Sequence, residues 1–274
     1  MLPESRLYSF LDSKNNFAIY FLEGQKLFHD LVLLSHIQGE GLLYYREAVL
    51  SAQQLINFLK NGENLGFYID SEDPYIRFKM ETNYAGHTRI LLIPQDLNIF
   101  PKTLNGLCRV AKIIEGGRPY TTNIELKNTP TKELVNKVLK ESYQFSSEII
   151  ISETADQSLL VSCLPENPDK ISEQLSIKEY MLQNKKLFND FLNKNLIDLK
   201  EISEFFEKNN FLYLGSKEIK FFCPCSKERM MINLLNLQNH DFKEIFHDQA
   251  AVEINCDYCK KVYHITYEEL LKLN

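Results

Sequence analysis

A chain of 274 residues with 44% hydrophobic and 25% charged side chains has the balance of a globular protein, with room for one large core and a small satellite. Its net charge of −6 argues against a broad phosphate-neutralising surface. Met1 to Phe10 hold no basic segment followed by an apolar run, and no apolar run reaches the roughly 18 residues of a membrane helix. Neither a secretory signal nor a membrane span is expected, and the chain reads as cytoplasmic.

Nine of the ten glycines lie between Gly24 and Gly117. That first part is predicted to hold strands and turns with some helix. Val49, Leu50, Ala52, Leu55, Ile56 and Leu59 share one face of a helix predicted over Glu47 to Lys60. Strands are predicted at Leu65 to Ile69, Tyr75 to Met80, Arg89 to Ile93, Leu107 to Ile114, Tyr120 to Leu126 and Glu148 to Ser152. Gly116-Gly117-Arg-Pro119 reads as a turn between two of them. Thr129-Pro130 introduces a helix predicted over Lys132 to Tyr143. Without a βαβ rhythm the pattern predicts an α+β fold, with residues 1–168 as a mixed N-terminal core domain.

Pro165 and Pro168 mark a boundary. Residues 169–222 hold nine acidic and nine basic side chains, a third of the segment. Between the charges runs a helical stripe of Ile177, Tyr180, Met181, Leu187, Phe188, Phe191 and Leu192, interrupted at Asn184. A second helix, Leu199 to Lys208, carries Ile202, Phe205 and Phe206. Residues 169–218 are therefore expected to be helical, and too apolar for a solvated linker. Their stripe either packs on the first domain or forms a cover whose apolar face can be exposed. Residues 219–274 are expected as a third, small domain. There, Ile219 to Phe222 reads as a strand, Lys227 to Leu237 as a helix, and Ala251 to Asn255 and Val262 to Ile265 as two strands. Asp241 to Glu244 and Thr266 to Glu269 each fit a capping box.

Six cysteines sort into two kinds. Cys108 and Cys163 stand alone among mostly apolar neighbours and are expected to be buried small hydrophobes. The other four form Cys223-Pro-Cys225, then 30 residues, then Cys256-Asp-Tyr-Cys259. Two close pairs, each delivering two thiolates from a turn, suit a tetrahedral S₄ site for zinc, with an iron–sulfur cluster as the inorganic competitor. His240, His247 and His264 are not needed as ligands, because four sulfurs complete the shell. Lys227, Arg229, Lys260 and Lys261 can offset the negative charge of four thiolates round one ion. Gly39-Glu-Gly41 lacks the third glycine of a dinucleotide fingerprint, and no P-loop, His-Glu-x-x-His or Gly-x-Ser-x-Gly occurs. No enzyme and no catalytic residue are expected.

The strings Phe222-Cys-Pro-Cys-Ser-Lys-Glu-Arg229 and Glu253-Ile-Asn-Cys-Asp-Tyr-Cys259, with Tyr263 after them, resemble heat-shock protein 33, the redox-regulated chaperone family. Residues 169–218 are similar to that family's linker in length and character. Gly116-Gly117-Arg-Pro-Tyr120 and Glu141-Ser-Tyr-Gln-Phe-Ser-Ser-Glu148 resemble family segments. The chain departs from the family in two ways. Glycines expected between Tyr75 and Pro94 are mostly absent. Lys260 stands where the family usually has glycine, so lysine must adopt or avoid a left-handed backbone.

The resemblance implies an ATP-independent holdase of the stress response. It is zinc-bound and inactive when reduced, disulfide-bonded and client-binding when oxidised, with Cys223, Cys225, Cys256 and Cys259 as both zinc ligands and redox disulfides. Its implied partners are unfolded client proteins and, on oxidation, a second copy of the chain, with neither nucleic acid nor membrane. The alternative is a zinc-ribbon protein whose structural zinc supports binding of nucleic acid or a protein partner.

Overall fold

The structure, a computed structural model, describes residues 2–114, 116–165, 175–194, 198–236, 246 and 249–272. It divides into two compact units, Met1–Phe221 and Phe222–Asn274. Among the described residues no helix is long and apolar enough to cross a membrane.

The first unit opens with β1 (Arg6–Asp12) and β2 (Phe17–Glu23), then α1 (Gln25–Val32) and α2 (Glu40–Gln53). Five strands follow: β3 (Glu63–Glu72), β4 (Tyr75–Asn83), β5 (His87–Ile93), β6 (Thr103–Ile114) and β7 (Tyr120–Pro130). Then come α3 (Leu134–Val138), β8 (Ser147–Ile151), β9 (Gln157–Cys163), α4 (Ile177–Leu192), α5 (Leu199–Lys208), β10 (Leu212–Glu218) and β11 (Lys220–Phe221). Two sheets result, ordered β10-β1-β2-β9-β8 and β11-β5-β4-β3-β6-β7. The α+β class is as expected. The strands predicted between Leu65 and Leu126 are all present as β3 to β7, and the predicted helix over 132–143 forms as a chain of short helical turns around α3.

The larger core gathers residues of both sheets around α1, α2 and α3. Its central helix is not the amphipathic one predicted over 47–60. It begins at Glu40 and is buried nearly all round, then continues as a 3₁₀ turn over Gln54–Phe58. Gly41 hid its start: a Cβ there would collide with the backbone at Ile99 and Phe100, so this glycine serves close packing rather than a turn. Polar side chains on the helix are buried because both sheets supply partners. Gln54 Nε2 donates to Ser158 Oγ at 2.9 Å in one sheet, and Thr88 Oγ1 of the other donates to Gln53 Oε1 at 3.0 Å.

The opposite face of the first sheet is covered by α4 and α5. Phe10, Phe17, Ile19, Phe21, Leu159 and Val161 of the sheet meet Tyr180, Phe188, Phe191, Leu192, Ile202 and Phe206 of the helices in a second core. β2 is thus buried on both faces, with Leu22 in the first core and Phe21 in the second. That is why it and β9 show no polar–apolar alternation and escaped prediction. Ser176 and Glu179 form a capping box that starts α4, and the Asp198 carboxylate accepts from Lys200 N–H to start α5. The described residues of 175–218 pack within the first unit, which ends at Phe221. The stripe supplies the reason: each buried aromatic or aliphatic side chain contributes roughly 1.5–3 kcal/mol, gained only against another apolar surface.

In the second unit α6 (Lys227–Leu235) precedes a hairpin of β12 (Ala251–Asn255) and β13 (Val262–Thr266), closed by α7 (Tyr267–Leu271). Thr266 and Glu269 make the expected capping box. The capping box expected at Asp241 lies outside the described residues. Among the described residues, Met231, Leu234, Phe246, Ile265 and Leu270 form the buried apolar cluster, and a unit this short has little room for a larger core.

Candidate metal centre

Both cysteine pairs sit where the backbone is held by hydrogen bonds outside the ladder. Cys223 and Cys225 lie in the irregular stretch before Ser226, whose hydroxyl caps α6 by accepting from Arg229 N–H. Cys256 follows β12, and the chain turns back at once. Lys260 N–H donates to the Cys256 carbonyl at 2.8 Å, and Cys256 N–H donates to the Lys261 carbonyl at 2.9 Å. The turn needs a left-handed residue, and Lys260 adopts it with φ of 60°. Its ammonium donates to the Asp257 carbonyl, closing the loop from outside.

The four sulfurs converge. Cys223 Sγ lies 3.6 Å from Cys256 Sγ, Cys225 Sγ lies 3.3 Å from Cys259 Sγ, and all four fall within 4.8 Å of one another. All are free thiols. A tetrahedral ion with metal–sulfur bonds of about 2.3 Å separates its sulfurs by about 3.8 Å, so this donor set fits one metal ion. Four ionised thiolates at such range repel one another, and a cation lets all be deprotonated together. Partial burial pushes the Cys225 thiol up. Hydrogen bonds with Tyr263, Cys259, Cys223 and Cys256 outweigh it and bring the thiol down to about 7. Burial also drives Cys259, up to about 12, and raises Cys223.

His264 stands apart, on the surface of β13 with its Nδ1 3.3 Å from Glu253 Oε1 across the hairpin. His240 and His247 lie outside the described residues. Of the cations expected to offset the thiolates, Lys227 is paired with Glu269 at 2.6 Å, tying α6 to α7, and Lys261 lies 5.2 Å from the centroid of the Tyr263 ring. Cys108 is fully buried in β6, where desolvation pushes its thiol up to about 12, and Cys163 is partly buried. Sequence reasoning passed over one contact of the centre. The Tyr263 hydroxyl donates to Cys225 Sγ at 3.1 Å. Its only sequence trace is a tyrosine four residues after Cys259.

An α+β unit is followed by a small unit built round four convergent thiols, an arrangement able to hold one metal ion. A family model described as Hsp33 protein matches residues 5–266, and the chain belongs to that family. The 33 kDa chaperonin of Synechococcus elongatus is 25% identical over 233 residues, covering 78% of each chain. That of Aquifex aeolicus is 21% identical over 252 residues, covering 79% of this chain and 73% of the relative. Among solved structures, the 33 kDa chaperonin (Hsp33 homolog) of Thermotoga maritima superposes with a TM-score of 0.72 over 99% of this chain and 98% of its own, at 17% identity, a likeness of fold. Family and relatives support a chaperone role, and the four-cysteine cluster is compatible with a metal site and with redox-active cysteines.

Proposed function

We propose that this chain is a redox-regulated holdase that needs no nucleotide, with zinc bound by Cys223, Cys225, Cys256 and Cys259 in the reduced, inactive state. The observation that carries the reading is the convergence of all four sulfurs within 4.8 Å. Zinc bound there would supply folding free energy, on the order of 10–16 kcal/mol in small zinc-finger domains, to a unit whose own apolar cluster is small.

The thiolates themselves supply the switch. One attacks a peroxide: a sulfur–oxygen bond forms, the oxygen–oxygen bond breaks, and hydroxide leaves. A second thiolate displaces hydroxide from the sulfenic acid to form the disulfide, so that sulfur is oxidised and peroxide reduced. Two ligands are lost, and a unit with so small a core loses its fold. Cys223 follows Phe221 of β11 after a single residue, so unfolding there strains the end of the chain that carries α4, α5 and β10. Loosening of α4 and α5 uncovers Phe10, Phe17 and Phe21 of the sheet together with the helices' own aromatic face, a surface suited to unfolded polypeptide.

The test measures zinc content and light scattering of a heat-denatured client on one sample, before and after peroxide. Zinc loss with gain of suppression is expected. Equal suppression by both forms would leave a constitutive chaperone, and suppression by neither, with zinc lost, would refute the holdase reading.

A further inference from the structure

The second sheet, ordered β11-β5-β4-β3-β6-β7, buries one face in the larger core, and the side chains of its other face are half-buried or exposed over most of their length. Register places Leu91, Lys79, Tyr68, Arg109 and Asn123 in one row across that open face, one residue from each of β5, β4, β3, β6 and β7. In the rows on either side the cations are engaged: Arg89 pairs with Glu81, and Arg77 with Asp70 at 3.5 Å. The middle row holds no carboxylate, and among the described residues neither Lys79 nor Arg109 has an ion-pair partner.

The ring of Tyr68 lies along the sheet. A Cβ at Gly66, two residues earlier on the same face, would fall on that ring, so the ring rests where a side chain is missing. The Arg109 guanidinium carbon sits over it, 5.1 Å from the ring centroid. A ring beneath a planar cation, with a lysine one strand away on the other side, suits a flat π-system that carries phosphate. Bases stack on aromatic rings and on guanidinium planes, and cations beside the stack hold the backbone. Adjacent strands are about 4.8 Å apart, so Lys79 and Arg109 flank a base stacked on Tyr68. An acidic peptide would meet the two cations and leave the stack unused. The net charge of −6 argues against a broad phosphate-neutralising surface and is compatible with a single local row.

We propose that the open face of the second sheet docks single-stranded RNA, with a base stacked on Tyr68 and Arg109 and the flanking phosphates held by Lys79 and Arg109. Asn123, exposed beside Arg109 in the same row, offers an amide that both donates to and accepts from a ribose 2′-hydroxyl, the group that distinguishes RNA from DNA.

The experiment follows the fluorescence anisotropy of a labelled short oligouridylate titrated at low salt with the reduced, zinc-containing full chain. Saturable binding is expected, with log affinity falling against log salt at a slope of about −1.4, the value for two phosphates on a single strand. Tyr68→Ala should weaken binding roughly tenfold, the scale of one base–aromatic stack, and Tyr68→Phe, which keeps the ring, should bind as the parent does. Lys79→Gln and Arg109→Gln should each flatten the salt slope by about 0.7. Thermal unfolding of each variant shows that the sheet is intact. Absence of saturable binding would overturn the proposal. So would a Tyr68→Ala variant that binds like the parent, or oligoglutamate that displaces the RNA at equal charge, either of which would leave a plain anion surface. Equal affinity for the deoxy counterpart would overturn RNA as the occupant.

Discussion

The ring of Phe206 in α5 stacks on that of Phe10 in β1, with centroids 4.2 Å apart and planes 21° from parallel. Both side chains are essentially inaccessible to solvent, and Phe206 also meets Phe21, Phe191 and Phe211. The pair joins the covering helix to the sheet. Truncation of Phe206 to alanine leaves a cavity under α5 and should cost about 3–5 kcal/mol of the helix's hold. The reduced Phe206→Ala protein should bind a hydrophobic dye and suppress client aggregation without peroxide. Dye fluorescence and light scattering on the reduced, zinc-containing variant check this. A variant as inert as the parent would show that uncovering this face is not what activates the chain.

Oxidation should link near neighbours, Cys223 to Cys225 and Cys256 to Cys259. In the folded centre the close cross-pair approaches are Cys223 Sγ to Cys256 Sγ at 3.6 Å and Cys225 Sγ to Cys259 Sγ at 3.3 Å. Once ligands are lost and the unit unfolds, sequence proximity governs effective concentration, and the shortest loops close first. Peptide mapping of the oxidised protein decides. Dominant Cys223–Cys256 or Cys225–Cys259 bonds would mean that oxidation is complete before the fold is lost.

Lys260 holds a left-handed backbone at φ of 60°, a conformation costing a side-chain-bearing residue roughly 1–2 kcal/mol. Lys260→Gly should remove that strain and stabilise the second unit by about 1 kcal/mol, less what the freer glycine loses in entropy. The measurement is the denaturant midpoint of the zinc-bound unit's transition. A lower midpoint would show that the Lys260 ammonium on the Asp257 carbonyl outweighs the strain.

Glu23, 4% exposed in β2 beside Gln157 of β9, has one carboxylate oxygen without a partner, as has the Gln157 amide oxygen. Burial pushes its carboxyl up to about 7, against the Gln25 N–H that it accepts and helped by nearby Asp156. The folded state then keeps a proton that the unfolded state sheds near pH 4.3, so between those values the unfolded state binds fewer protons and stability falls as pH rises. The decline amounts to about 4 kcal/mol, complete just above pH 7. Glu23→Gln abolishes it and can donate to the Gln157 oxygen. The variant should be the more stable by about 2–3 kcal/mol at pH 8, with the advantage gone at pH 4. Unfolding curves of both proteins across that range test the sign.

The features that act over a few residues were legible in the chain alone. Cysteine spacing announced the cluster of four thiols, Thr266 and Glu269 announced α7, and the stripe from Ile177 to Leu192 announced α4, because thiolate reach, capping and helical periodicity are set by neighbours in sequence. What α4 covers was not legible, since an apolar stripe states that it will be buried and not against what. β2 and β9 were hidden for a related reason: strands apolar on both faces carry no alternation, and only the stacking of α2 on one side and α4 and α5 on the other makes them strands. The start of α2 was masked by Gly41, whose missing side chain answers to the backbone of Ile99 and Phe100. Tyr263 became a partner of Cys225 only when the hairpin of β12 and β13 carried its hydroxyl across 38 residues of chain to that sulfur. Contacts of that span depend on how elements pack, and their physics lies in the folded distances rather than in the order of the residues.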